Sequence, residues 1–256
     1  MKTKSTQNIS PKVLKAFETP VDWSEDLSPK EFYASPKINI LYQDESLIVV
    51  NKPAGLLVHP MTENDSEKKN LLKLVKWQAE KYLYPIHRLD RPVSGIVIFA
   101  LNKKAAKSIK ENWHHDQFIK EYMALVVGKT QEAGIITIPL DDEKGIPRES
   151  ITHFQRVAIY NDKFSLIKIQ IHTGRNHQIR RHLKMINHPI VGDILHGSSE
   201  INKIFNDHIG FTRIFLQASK MEFFHPEEKR KLVIESKLDS ELEDTLEFIN
   251  SHSSLF

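Results

Sequence analysis

Six consecutive apolar residues, Ile96-Val97-Ile98-Phe99-Ala100-Leu101, follow directly on Pro92 and the Ser94-Gly95 pair. The run is too short for a helix and rich in β-branched residues, so it reads as a buried strand. Whatever immediately precedes it must therefore be a turn held at the entrance of that strand. The preceding residues are His87-Arg88-Leu89-Asp90-Arg91, a carboxylate between two arginines. A loop fixed to a rigid scaffold is where reactive side chains are usually presented. Guanidinium groups nearby favour the charged form of a carboxylate, so Asp90 is expected to be ionised and able to act as a nucleophile. The competing reading, an exposed ion pair, is the commoner fate of Asp beside Arg.

The rest of the chain alternates short β-type runs with a few helical patterns. Extended segments are expected at 38–42 and 47–50 (a hairpin), 56–58, 118–127, 135–139, 151–159, 164–171, 214–216, 220–224 and 232–236. Helices are expected at 70–81 with Asn70 as N-cap, at 103–115, at 176–186 and at 240–250. This irregular order argues for an α+β fold around a mixed, largely antiparallel β-sheet flanked by helices and loops. Residues 1–36 carry four prolines and no periodicity and read as an N-terminal extension, partly ordered, with Phe17, Trp23, Phe32 and Tyr33 available to pin it. Residues 37–256 would form the one catalytic domain.

Composition excludes several function classes. The 256 residues contain no cysteine, which removes disulfide frameworks, thiol nucleophiles and thiolate metal sites. The first residues have no apolar signal-like core, and no apolar run approaches a membrane span. A soluble, cytoplasmic protein with no membrane contact is expected. The net charge is only +3, but residues 163–192 include no acidic residue and six lysines and arginines. Such a stretch is the footprint of a polyanion, most simply nucleic acid, or else a solvated basic face.

Within that stretch lies Thr173-Gly-Arg-Asn-His-Gln-Ile-Arg-Arg-His182. On a helix from about Asn176, Arg180 and Lys184 share one face, and His177 and Arg181 another. His172, His177 and His182 are spaced by five residues, about 140° apart on a helix, so they diverge rather than converge on a metal. No sequence pattern for a metal or a nucleotide is present, and no metal or cofactor is expected.

Several segments together resemble the RluA-type pseudouridine synthases. They are Val49–His59, His87–Asp90 with Ser94-Gly95, Lys120-Glu-Tyr122, Thr173–Arg180, Asn187–Asp193, Leu216–Ala218 and Phe223–Pro226. They occur in the family's order over roughly residues 38–230. Arg180-Arg181-His182, Arg91-Pro92 and Gly192–Gly197 look most like the tRNA-modifying TruC branch. Val93 stands where the family usually has Thr, and Gln217 where it often has His.

The resemblance implies a cofactor-free isomerisation of a specific uridine to pseudouridine in RNA, most simply tRNA, by a monomer. The N-glycosidic bond breaks, the base turns, and C1′ is rejoined to C5. It implies Asp90 as nucleophile, Arg180 as its cationic partner with Arg175 in reserve, and Tyr122 stacking on the uracil and helping to remove the C5 proton. Arg88 would fill the space left by the extruded base. Arg175, Arg181, Lys184 and Lys52 would contact RNA. The alternatives are an rRNA enzyme of the same family, a non-catalytic RNA-binding module, and a glycoside hydrolase. The last needs two carboxylates flanking the bond, and the reactive segments offer only Asp90.

Overall fold

The computed structural model describes residues 37–60 and 69–256. The expectations for the N-terminal extension, its aromatic pins and most of the polar loop at 61–69 fall outside these residues. The strands are β1 (Asn39–Gln43), β2 (Leu47–Lys52), β3 (Tyr84–Pro85), β4 (Ser94–Ala100), β5 (Ile119–Val127), β6 (Ala133–Ile136), β7 (Leu140–Asp141), β8 (Pro147–Arg148), β9 (Thr152–Tyr160), β10 (Phe164–Ile171), β11 (Leu216–Phe224) and β12 (Lys231–Glu235). The helices are α1 (Leu71–Ala79), α2 (Lys103–Asn112), α3 (Gln178–Met185), α4 (Ser199–Ile209) and α5 (Ser240–Ser251).

Ten strands form one sheet in the order β1-β2-β4-β11-β5-β10-β9-β6, with β3 also on β4 and β12 also on β11. The β4–β11 pair is parallel, through Gln217 opposite Ser94 and Ala218 opposite Gly95. The other pairs are antiparallel. The fold is α+β, as the element order implied.

The continuous apolar character of β4 has a direct cause: the strand is covered on both faces. Ile96, Ile98 and Ala100 pack with Ala105, Ile109, Phe118 and Phe223. Val97 and Phe99 turn into the larger core with Leu71, Leu74 and Val75 of α1. In β10 the alternation Ile167-Lys168-Ile169-Gln170-Ile171 leaves Lys168 and Gln170 less buried, but Phe164 and Leu166 join the same core out of phase. A register shift against β9 between Leu166 and Ile167 changes the strand's phase.

Local signals explain the helix boundaries. Asn70 caps α1 by accepting a hydrogen bond from the Lys73 amide at 3.0 Å. Asn102 does the same for Ala105 at the start of α2, at 2.8 Å. Helix α4 is an addition to the sequence expectation, although Ser198 caps it and Gly210, with φ +67°, ends it. Leu56–Val58 is not a strand: the Leu57 and Val58 carbonyls instead receive the amides of Leu71 and Leu72 and so anchor α1. The two short late strands are one continuous β11. Gly95 has φ +109°, and a Cβ there would lie 2.2 Å from the Ala218 carbonyl oxygen. Only glycine permits this approach of β4 to β11, which fixes the level at which the Asp90 turn leaves the sheet.

Candidate active site

The turn carrying Asp90 is strapped to the segment that follows β2. The Val93 amide donates to the Asp90 carbonyl at 3.1 Å, and the Gly55 amide to the Arg91 carbonyl at 2.8 Å. The Arg91 Nε returns a bond to the Gly55 carbonyl at 2.9 Å. Beneath them Lys52 is fully buried, and its Nζ donates to the carbonyls of Leu56, Pro53 and Arg91 at 2.7, 2.9 and 3.1 Å. Burial, reinforced by the nearby Arg213, holds the Lys52 ammonium well below its ordinary pKa. The expectation that Lys52 contacts RNA is corrected here, because a side chain with no exposed surface cannot reach a phosphate. It braces the turn instead.

Asp90 opens into a cavity of about 350 Å³ lined by Arg88, Tyr122, Arg175, His177 and Arg180, among others. Arg180 comes from α3, the helix in the acid-free stretch. Its Nη1 donates to Asp90 Oδ2 at 2.9 Å. Its Nε and Nη2 donate to the two carboxylate oxygens of Asp193, at 2.7 and 2.8 Å. Burial works against the charge on Arg180, but the bonds to Asp193 and Asp90 outweigh it and raise its pKa. Asp193 also accepts from the amides of Leu195 and His196, both at 3.0 Å. Burial pulls its carboxyl up, and these bonds, Arg180 foremost, bring it below the ordinary range.

Tyr122, on β5, is opposite Ile169 of β10 and Ala218 of β11, with only 8% of its surface exposed. Burial and then the Asp90 charge push its phenol up, so the hydroxyl stays protonated. His177 precedes α3 in a left-handed conformation, φ +52°, and its Nε2 faces Asp90 Oδ2 at 3.7 Å.

This constellation lies on a sequence that matches known proteins along most of its described length. The model of the family described as RNA pseudouridylate synthase matches residues 46–185. The chain belongs to that family. It is 35% identical over 223 residues to the tRNA pseudouridine synthase C of Vibrio cholerae, covering 79% of this chain and 91% of the relative. It is 34% identical over 225 residues to the protein of the same name from Haemophilus influenzae, covering 80% of this chain and 94% of that one. Among solved structures, Human RNA Pseudouridylate Synthase Domain Containing 4 shares the fold, with a TM-score of 0.68 at 23% identity over 86% of this chain and 94% of that one.

In this pseudouridine synthase, Asp90, Tyr122 and Arg180 meet at one cavity although they lie on three separate elements. The cation on Asp90 comes from α3 and not from the arginines beside it in sequence. Arg91 is turned to Gly55, and Arg88 is exposed at the cavity rim. Arg175 is exposed and donates to the Glu149 carbonyl at 3.1 Å. Arg181 donates to the Asp141 carbonyl at 3.0 Å, and Lys184 is exposed. Arg180 and Lys184, expected on one face of α3, differ in depth: Arg180 is buried and Lys184, one turn on, is exposed. Helix α3 begins only at Gln178, because His177 has left-handed geometry.

The three spaced histidines separate: His182 is buried against Thr152 and the Ile138 carbonyl, His177 faces Asp90, and His172, just after β10, lies 3.9 Å from Asp116. Among the described residues, Asp44, His225 and Glu228 stand close enough to hold an ion. Asp44 accepts from the Ser46 and Leu47 amides and from Tyr42, and lies 2.8 Å from His225 Nε2.

Sequence reasoning missed two members of the site. Asp193 stood at the end of the matching stretch Asn187–Asp193, but its role needs the fold to bring it to Arg180. His177 was read only as a neighbour of Arg181. Val93, in place of Thr, is buried and lines the cavity. Gln217 is buried too, accepting from the Asp239 amide at 3.0 Å and donating to the Lys237 carbonyl at 2.6 Å.

Proposed function

We propose that this enzyme isomerises a specific uridine of tRNA to pseudouridine, with Asp90 as nucleophile. The observation that carries the reading is the Arg180 fork, which ties Asp90 to a second, inaccessible carboxylate, Asp193. A lone buried carboxylate would be costly, and a guanidinium bonded to it lowers that cost while leaving one oxygen for chemistry. The tRNA assignment is supported by what the Vibrio and Haemophilus relatives are named for.

The target uridine has to leave its stack, at a cost of roughly a few kcal/mol. Arg88, exposed at the rim, can stack in the vacated space, and Arg175, Arg181 and Lys184 can meet phosphates. The uracil then lies against the Tyr122 ring. Asp90 attacks the ribose as the N-glycosidic bond breaks, the base turns, and C5 bonds to C1′ as the carboxylate leaves. The C5 proton departs and N1 gains one, so the reaction is balanced without redox chemistry.

A glycoside hydrolase reading fails on Asp193. Both its oxygens are taken by Arg180, its side chain has no exposed surface, and it cannot flank a scissile bond.

The deciding experiment maps pseudouridine in tRNA and rRNA from cells lacking the enzyme, after addition of wild-type protein or Asp90→Asn. New pseudouridine in tRNA with wild type alone, and retained RNA binding by the variant, is the expected result. Modification confined to rRNA overturns the substrate, and substantial turnover by Asp90→Asn overturns the nucleophile.

A further inference from the structure

Two branched apolar residues, Ile194 and Leu195, stand side by side with 84% and 65% of their surface exposed, the most open large apolar side chains among the described residues. Single exposed apolar residues need no explanation, but an adjacent pair beside a reactive site does. A loose loop would be free to tuck them in; this turn is fixed. The Gly192 amide donates to Asn202 Oδ1 at 2.8 Å, and Asn202 Nδ2 donates to the Asp193 carbonyl at 3.0 Å. The same carbonyl receives the Gly197 amide at 2.9 Å, and Asp193 Oδ1 receives the amides of Leu195 and His196. The residue at the centre of this net is the carboxylate that holds Arg180 on Asp90.

The turn makes Ile194 one wall of a groove of about 810 Å³, larger than the 350 Å³ reactive cavity. Pro53, Ala54 and Pro92 give the groove further apolar surface, and Lys37 and Arg91 line it as well. Gly192 is what seats the turn there. At its φ of +77° a Cβ would stand 1.8 Å from the carbonyl oxygen of Arg213, another residue of the groove wall. Cavity and groove adjoin through one stretch of chain: Asp90 lines the first, and Arg91 and Pro92 line the second. Consecutive Cα atoms are about 3.8 Å apart, so the Pro92 Cα lies within about 8 Å of that of Asp90. An RNA strand that delivers a uridine to Asp90 brings its next nucleotide within reach of the groove.

The charges suit the same occupant. Arg213 takes up both carboxylates of the groove, Asp239 at 3.1 Å and Glu241 at 3.3 Å. Arg91 is exposed, and among the described residues only its Nε is committed, to the Gly55 carbonyl. Lys37 is exposed at the edge. Two available cations over apolar walls match a nucleotide, with its phosphate outermost and its base face inward.

We propose that this groove holds the nucleotide adjoining the target uridine, its base against Ile194 and Pro92 and its phosphate on Arg91. Ile194 is then a positioning residue: it acts by fixing the strand on which the uridine is delivered. This deepens the proposed function of the same site and rests on it.

The test is a cycle between one side chain and one base. Full-length wild type and Ile194→Ser are compared on the tRNA that the enzyme modifies. They are compared again on that tRNA with a single abasic residue placed on one side of the target uridine, and then on the other. On intact tRNA, Ile194→Ser is expected to lower kcat/KM about tenfold, the order set by burying one aliphatic side chain. On one of the two abasic RNAs the substitution should cost nothing further, because its partner is already gone. A structural defect would cost the same on all three RNAs, and that result overturns the proposal. So does a wild-type rate for Ile194→Ser on intact tRNA. In both cases wild type still forms pseudouridine; if wild type forms none, the functional reading falls and this one with it.

Discussion

Arg180 and Asp193 meet through two parallel hydrogen bonds, 2.7 and 2.8 Å long, with at most 4% of either side chain exposed. The pair is a fixed buttress, and the third bond of the guanidinium is what reaches Asp90. Asp193→Asn keeps the shape and removes the charge. It should cost roughly 3 kcal/mol of stability, as broken buried pairs do, and lower kcat with little change in RNA affinity. Thermal unfolding and single-turnover kinetics measure the two effects, and wild-type values for both would show that the buttress is idle.

Arg180→Lys should fold but lose at least about 100-fold in activity, because one ammonium cannot reproduce three directed bonds and the carboxylate loses its alignment. Single-turnover rates at saturating RNA decide the matter. Near-wild-type rates would mean that the Asp90 geometry does not depend on the fork.

Lys52→Met leaves the Leu56, Pro53 and Arg91 carbonyls without their shared donor. A loss of about 2 kcal/mol is expected, together with reduced kcat from a looser Asp90 turn. The salt dependence of RNA binding should stay unchanged, since the side chain is not at the surface. A smaller salt slope would return Lys52 to the RNA interface.

Arg175, Arg181 and Lys184 behave oppositely if they contact phosphates. Each substitution to Ala should reduce the slope of log K against log salt by about 0.7–0.9, measured by filter binding over a salt series. An unaltered slope removes that residue from the interface.

His87 gives the fold an acid sensitivity. It stacks on Trp113 with ring centroids 4.7 Å apart and its Nε2 accepts from the Ile98 amide at 3.1 Å. Burial, aided by the Lys120 charge, lowers its pKa to about 3, against about 6.5 when unfolded. Between those values the unfolded chain binds the proton and the folded one does not, so stability falls as pH drops from about 6.5 towards 3, by a few kcal/mol. Unfolding midpoints of wild type and His87→Gln across that window should have different slopes. Parallel slopes would refute the assignment.

The strand pattern, the helix cap at Asn70, and Asp90, Tyr122 and Arg180 as candidates for one site were open to reading from the chain alone. Each rests on local physics: periodicity, cap chemistry, or a motif confined to a few residues. Helix α4 was missed although Ser198 and Gly210 bracket it and Ile201, Ile204, Phe205 and Ile209 recur at helical spacing; of these only Phe205 and Ile209 are buried. Lys52 was misjudged because charge type predicts a surface position, whereas three converging carbonyls made burial tolerable.

The arginines beside Asp90 show the division most clearly. Sequence determined that a carboxylate would stand at the entrance of a doubly covered strand, with basic residues available to the same chain. The resemblance implied Arg180 with Arg175 in reserve, but the pairing itself was made only when α3, packed against β9, brought Arg180 to Asp90 across ninety positions, with Asp193 behind it. Adjacent side chains on a turn diverge, so Arg91 went to Gly55 and Arg88 to the rim. Charge pairing in the site is a property of converging backbones, and that convergence is tertiary.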